Sequence, residues 1–256
     1  MTYVYSLKSN VEVTLPGTQT VAVQVFERSG GHALNTEDSS LVTAVGGTFR
    51  AAALDGVTPT ARTETVFGID GAIWAAGVAR TLLQGSTKSL ADVARSINSA
   101  LYDHSVLNSR DQRQVTLAAA EISPTGRASK TVDFLRAGDC IAWAKRAGKW
   151  EEVFPENAHA PETARIVNEW DKANMGVFGE PRYAMEEELA GRPENWLTAA
   201  LGRFADAKTQ HSCLTGVSEF ILASDGASVS AEDPPVAIED EPPLAGPDCT
   251  IIHVVL

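Results

Sequence analysis

The sequence predicts an α+β fold in which antiparallel strands, joined by tight turns, are covered by two amphipathic helices. Three observations predict it. Gly46-Gly47 separates two strand-like runs, Ser39 to Val45 and Thr48 to Leu54, and Gly-Gly in that position reads as a two-residue hairpin turn. Four short runs, Val115 to Ile122, Thr131 to Ala137, Cys140 to Lys145 and Trp150 to Phe154, are punctuated by Pro124-Thr125-Gly126, Gly138-Asp139 and Ala147-Gly148. That spacing predicts an antiparallel meander within one sheet. Ala72 to Leu83, and the segment from Ser89 onward, repeat apolar residues at helical spacing.

The remaining elements follow in chain order. Thr2 to Asn10 is polar and predicts no strand, whereas Val11 to Val13 and Thr20 to Phe26 read as strands around a Pro16-Gly17 turn. Ser29-Gly30-Gly31-His32 leads into the hairpin. The polar stretch from Asp55-Gly56 to Thr65 reads as loop. Asp70 is a candidate cap for the first helix, and Ser89 with Asp92 approximates a capping box for the second, whose apolar face is Leu90, Val93, Ile97 and Leu101. An irregular excursion at 156–193 holds one predicted helix, Glu162 to Ala173. Glu219 to Ala223 is a strand ending in Ser224-Asp225-Gly226. Thr250 to Leu256 is the closing strand, preceded by Asp248. Between these two lies an acidic, proline-rich loop at 231–247.

A chain of 256 residues with 44% hydrophobic content can bury a core as one domain over 1–256. Its net charge of -12 excludes nucleic acid and anionic membrane surfaces as partners of the whole chain. Cys140, Cys213 and Cys249 are isolated thiols. They predict a reducing compartment and exclude a disulfide framework or a zinc cluster. The start lacks a charged and then apolar leader, and no apolar run reaches bilayer length, so a soluble cytoplasmic protein is expected.

The hairpin places chemistry. With Gly46-Gly47 as the turn, Asp38 faces Asp55 directly across the ladder, with side chains about 5 Å apart. Like charges so placed destabilise a hairpin unless a cation or a shared proton lies between them. A carboxylate at a strand end followed by Gly also offers a hard cation both an acid and an approachable carbonyl. Asp38 and Asp248 precede strands, while Asp55 and Asp225 follow them. Antiparallel pairing gathers all four along one edge, where divalent cations are the natural resolution of their repulsion.

The order Glu37-Asp38, Asp55-Gly56, Ala137-Gly138-Asp139, Ser224-Asp225-Gly226 and Asp248-x-Thr250 resembles the metal-dependent serine/threonine protein phosphatases of type 2C. Asn195 to Gly202 is similar to a further landmark of that family. The resemblance runs from Val21 to the C-terminus. It implies a four-layer α-β-β-α sandwich of two antiparallel sheets flanked by helices. It also implies a site of two Mn²⁺ or Mg²⁺ ions, with a looser third, that activates water for in-line attack on a phosphomonoester. Asp55 would bridge two ions and the Gly56 carbonyl would bind one. Asp225 and Asp248 would complete the other shell, Asp139 would serve the third ion, and Glu37 and Asp38 would hold water. The implied partner is a phosphorylated protein, the product of a cognate serine/threonine kinase system, and the implied state is a monomer.

Some positions depart from that pattern. The family carries a phosphate-gripping Arg four residues before its Glu-Asp pair, where this chain has Ala33; Arg28 and His32 are the nearby substitutes. Val57 stands where animal members carry a His, and Cys249 where an Asn is usual. The alternative is therefore a pseudophosphatase that binds phosphoproteins without turnover. Ala53 two residues before Asp55 argues against a haloacid-dehalogenase-type phosphatase. The polar start argues against an N-terminal nucleophile hydrolase beginning at Thr2.

Overall fold

A computed structural model describes residues 6–15, 20–28, 38–57, 65–66, 69–107, 113–122, 131–154, 165–166, 169–170, 173, 200–203, 205–224 and 249–256. The first half contains β1 (Ser6–Thr14), β2 (Thr20–Arg28), β3 (Asp38–Val45), β4 (Thr48–Gly56), β5 (Thr65–Val66), β6 (Ile69–Asp70), α1 (Gly71–Gly85) and α2 (Leu90–Leu107). The second half contains β7 (Val115–Ile122), β8 (Val132–Ala137), β9 (Ile141–Arg146), β10 (Lys149–Glu152), β11 (Gln210–Leu214), β12 (Val217–Ala223) and β13 (Cys249–Val255).

The strands form a six-stranded sheet ordered β1-β2-β13-β12-β9-β10, a five-stranded sheet ordered β11-β8-β7-β4-β3, and the small β5-β6 pair. Every strand pairing is antiparallel. The two large sheets pack face to face through Val21, Val23 and Val25 of β2, Phe220 and Leu222 of β12, and Phe49, Ala51 and Ala53 of β4. Phe134 and Phe220 meet edge to face at 5.5 Å in this interface. On the other face of the five-stranded sheet, Ala52, Leu54, Leu117 and Leu135 pack under Ala75, Ala79 and Leu83 of α1 and Ile97 and Leu101 of α2. The central strands β4 and β7 are covered on both faces, which is why AAAL at 51–54 and LAAA at 117–120 read as unbroken apolar runs rather than alternating ones. Three of the four expected layers are thus made by described residues, an α+β sandwich. Among these residues no helix is long and apolar enough to cross a membrane.

Local chemistry sets the elements. Gly46 and Gly47 both take positive φ, 59° and 84°, the requirement of the tightest hairpin turn. Ser89 caps α2 as predicted: its Oγ accepts from Asp92 N at 3.3 Å and donates to Asp92 Oδ2 at 2.7 Å. The C-terminal end of α1 is held by Arg50, which is 3% exposed and donates to Leu83 O and Ser86 O, to Lys88 O, and to Glu121 Oε2 at 2.7 Å. A cation suits that end of a helix. Residues 165–166, 169–170 and 173 are helical, with an Arg165–Glu169 ion pair at 2.7 Å, in line with the helix predicted over Glu162 to Ala173.

Several expectations are corrected. The meander does not stay in one sheet: β7 and β8 belong to the five-stranded sheet, and β9 and β10 to the six-stranded one. The chain steps across at Gly138-Asp139, a turn whose chemistry is the same whether the next strand lies alongside or opposite. The polar start is not strand-free, because β1 begins at Ser6. As an edge strand with exposed residues at Lys8, Asn10, Val11 and Glu12, it needs no apolar alternation. β11, reading QHSCL, escaped prediction for the same reason. Asp70 lies in β6 and its side chain is outside the described residues, as are the lead-in at 29–32, the 231–247 loop and most of the 156–193 excursion.

Candidate functional site

One end of the sandwich collects strand termini. Arg28 ends β2, Asp38 begins β3, Gly56 ends β4, Val115 begins β7, Ala137 ends β8, Ala223 ends β12 and Cys249 begins β13. Pairing brings them together, with Cys249 opposite Arg28, Asp38 opposite Asp55, Asp55 opposite Thr116, and Ala223 opposite both Ile251 and Ile141. The hairpin register predicted from Gly46-Gly47 is the one observed.

Strand alternation fixes which way this row faces. Ala51 and Ala53 of β4 and Ala118 and Ala120 of β7 line the interface between the sheets, so Asp55 and Thr116 share that inner face. Asp38, directly opposite Asp55 and 6% exposed, lies on it too. Gly138 turns the chain at φ 78° beside Thr116, where a Cβ would sit 2.4 Å from Thr116 Cγ2. Behind Thr116 lies Cys140, fully buried, with Sγ 3.3 Å from Thr116 Oγ1. Burial pushes the Cys140 thiol well above the ordinary range, and the charges of Asp55, Asp139 and Asp38 push it further against the Thr116 hydrogen bond. The thiol therefore stays protonated, and three acids from β3, β4 and the β8–β9 turn act on one point.

The six-stranded sheet reaches across to this row. Ser224 Oγ donates to Asp38 Oδ2 at 2.6 Å and accepts from Thr250 N at 2.9 Å, while Ser224 N donates to Thr250 O at 3.0 Å. Two residues along β3, Ser40 N donates to Glu27 Oε1 at 3.0 Å, and Glu27 is paired with Thr250. The fully buried Thr250 Oγ1 has no hydrogen-bond partner among the described residues. On the other flank, Gly56 lies against the start of α1: a Cβ there would sit 2.3 Å from Ala72 O. The glycine is thus required by packing as well as offering its carbonyl. The last part of the Asn195 to Gly202 landmark docks here as well. Leu201 exchanges hydrogen bonds with Val115 at 3.1 and 2.9 Å, and Gly202 N donates to Asn98 Oδ1 at 2.9 Å.

Of the residues expected at the site, Asp38, Asp55, Gly56 and Asp139 are brought together at this end. Arg28 ends β2 at the same end, 5% exposed, but against expectation it shares the strand face of Phe26, the outer face of the six-stranded sheet, and not the Glu27 face that looks onto the acids. Glu37, His32, Asp225 and Asp248 lie outside the described residues; Glu37, Asp225 and Asp248 adjoin Asp38, Ser224 and Cys249 in sequence. Among the described residues no group of three or more His, Cys, Asp and Glu side chains is arranged to hold a metal. The donors that are present suit a hard divalent cation, since the row offers carboxylates and an unpartnered buried hydroxyl rather than thiolate or imidazole.

Sequence reasoning missed the cross-sheet bonds of Ser224 and Glu27, the Thr116–Cys140 contact, and Arg136. Arg136 is 2% exposed, donates to Gln210 Oε1 at 2.8 and 2.5 Å and stacks over Phe154. Burial lowers its pKa, opposed by the charges of Glu152 and Asp139. Only the Ser224-Asp225-Gly226 motif carried a hint, by placing a hydroxyl next to a candidate ligand.

No protein-family model matches the chain, and no curated protein matches it. Solved structures do. The serine/threonine phosphatase Stp1 from Staphylococcus aureus is similar over 97% of this chain and 99% of its own, with a TM-score of 0.60 at 15% identity. The Mycobacterium tuberculosis serine/threonine phosphatase PstP/Ppp is similar over 92% and 98%, with a TM-score of 0.59 at 15% identity. RsbX, solved in complex with magnesium, is similar over 98% and 100%, with a TM-score of 0.60 at 12% identity. Across nearly its whole length, the chain has the fold of bacterial type 2C serine/threonine phosphatases.

Proposed function

We propose that this protein is a metal-dependent phosphomonoester hydrolase acting on phosphoserine and phosphothreonine in proteins that a serine/threonine kinase has modified. The observation that carries this reading is the direct pairing of Asp38 with Asp55 at a rim shared with Asp139. Two facing carboxylates on one ladder destabilise the fold unless a cation or a shared proton lies between them, and a cation also accounts for the further acid, Asp139, at the same rim. The fold shared with solved serine/threonine phosphatases supports the reading, as does the magnesium bound by RsbX.

In this proposal Asp55, the Gly56 carbonyl, Asp225 and Asp248 hold two Mn²⁺ or Mg²⁺ ions, and Asp139 serves a third. When bound, the ions supply an activated water and neutralise charge on the phosphoryl oxygens. Glu37 and Asp38 orient water at the rim, and Ser224 holds Asp38 in place. Cys140 closes the floor as a neutral thiol and adds no charge to the site. His32 is the candidate for gripping the phosphate, since Arg28 ends β2 on the strand face of Phe26, turned away from the acids.

Ala33, standing where the family carries its phosphate-gripping Arg, favours a second reading: a phosphoprotein-binding module without turnover. Phosphate release from a phosphothreonine peptide, assayed with Mn²⁺ and with EDTA, separates the two. Release confined to the Mn²⁺ arm supports the hydrolase. Mn²⁺ and peptide binding without release supports the binding module.

A further inference from the structure

We infer that Ser224 is a positioning residue for Asp38, reaching from the six-stranded sheet to hold a carboxylate of the five-stranded sheet in the pose the rim requires; the inference rests on the metal-hydrolase reading above. A serine hydroxyl has one proton and two lone pairs. Thr250 N–H already points at the Ser224 oxygen from 2.9 Å, and the one hydroxyl proton goes to Asp38 Oδ2 at 2.6 Å. The donor is itself immobile. Ser224 is fully buried, and its main-chain N–H is bonded to Thr250 O at 3.0 Å. Little freedom is left to lose when it grips the acid.

Asp38 needs such a grip. Among the described residues β3 lies at the edge of the five-stranded sheet, paired with β4, and Asp38 is its first residue. Its side chain faces Asp55, so repulsion drives it out of the row. The Ser224 bond opposes that rotation at the carboxylate itself. The Glu27–Ser40 bond anchors the same strand to the same β2–β13 pair two residues further on, but it grips the main chain and leaves the Asp38 carboxylate untouched. The two clasps can therefore be separated by mutation. Groups that orient the residues of a metal site typically change metal affinity by about 10- to 100-fold when removed.

The test is Mn²⁺ titration calorimetry, paired with thermal unfolding in EDTA, on wild type, Ser224→Ala, Ser224→Cys and Glu27→Ala. Support comes from Mn²⁺ affinity about 10-fold or more weaker in Ser224→Ala, while Glu27→Ala melts earlier but binds Mn²⁺ as wild type does. In an Asp38→Ala background, adding Ser224→Ala is expected to change affinity by less than about twofold, because the hydroxyl then has no side-chain acceptor to position. A Ser224→Ala protein that melts earlier yet keeps wild-type affinity overturns the inference and leaves Ser224 a structural clasp. If the alanine variant does not fold, Ser224→Cys, close in volume and a weak donor, carries the same comparison. A wild type that binds no Mn²⁺ overturns the metal-hydrolase reading itself, and the positioning role with it.

Discussion

Ser224 Oγ and Asp38 Oδ2 are joined by a 2.6 Å hydrogen bond that spans 186 residues of chain and the gap between the two sheets. The interface it crosses is built on a core of aliphatic and aromatic side chains. At the strand ends that apolar packing stops, and directional bonds take over the task of keeping the sheets in register. Asp38 is thus held by a polar contact at the margin of that apolar core.

Asp55→Asn is expected to stabilise the metal-free protein by a few tenths to about 1 kcal/mol, since it removes the like charge facing Asp38. The same substitution should abolish the rise in melting temperature that Mn²⁺ produces in wild type, because a ligand stabilises only the state that binds it. Urea unfolding in EDTA and melting with and without Mn²⁺ check the two halves separately.

Arg50→Met is expected to cost about 3–5 kcal/mol, because it strips a buried ion pair from Glu121 and the cation from the C-terminal carbonyls of α1. Urea unfolding measures it. Arg50 lies five residues before Asp55 on β4, a separation of about 17 Å. Mn²⁺ affinity of the folded variant should therefore match wild type.

The Asp38–Asp55 pairing was legible because a two-residue Gly-Gly turn pins the register of both strands, and a period-two ladder then places every residue. The α2 cap was legible for a similarly local reason, since Ser89 and Asp92 are three residues apart. The sheet change at Gly138-Asp139 was not, because one turn chemistry serves both a hairpin and a step to the opposite sheet. The partner of Ser224 was out of reach as well: nothing near residue 224 encodes contact with residue 38. Gly56 was read for its carbonyl, whereas its missing side chain also answers to Ala72, which only packing reveals. The expected site residues Glu37, His32, Asp225 and Asp248 fall outside the described residues, so for them the sequence remains the source.

Gly56→Ala is expected to destabilise the fold by about 1–3 kcal/mol through overpacking, since the new Cβ meets the Ala72 carbonyl at 2.3 Å, backbone that cannot swing aside. Chemical denaturation gives the loss. A neutral result would mean that the start of α1 is not seated against β4 as described.

Glu219 gives a pH prediction. Burial works to raise its pKa, but the hydrogen bonds from Lys145 at 2.8 Å and His253 at 3.1 Å outweigh this and hold it below the ordinary glutamate value of 4.5. The ionised form is favoured in the folded state. The resulting stability is fully present above about pH 4.5 and is lost as pH falls through the lower folded value. Unfolding free energies of wild type and Glu219→Gln should differ near neutral pH and converge as the pH falls below the lowered folded value. A difference that is constant with pH would contradict the assignment.

Counting the divalent ions the protein holds tests the central claim most directly. Calorimetric titration of the metal-free protein with Mn²⁺ is expected to show at least two sites, with the tighter binding lost in Asp55→Asn. Heats no larger than dilution for wild type with millimolar Mn²⁺ or Mg²⁺, or binding that Asp55→Asn leaves unchanged, would contradict it.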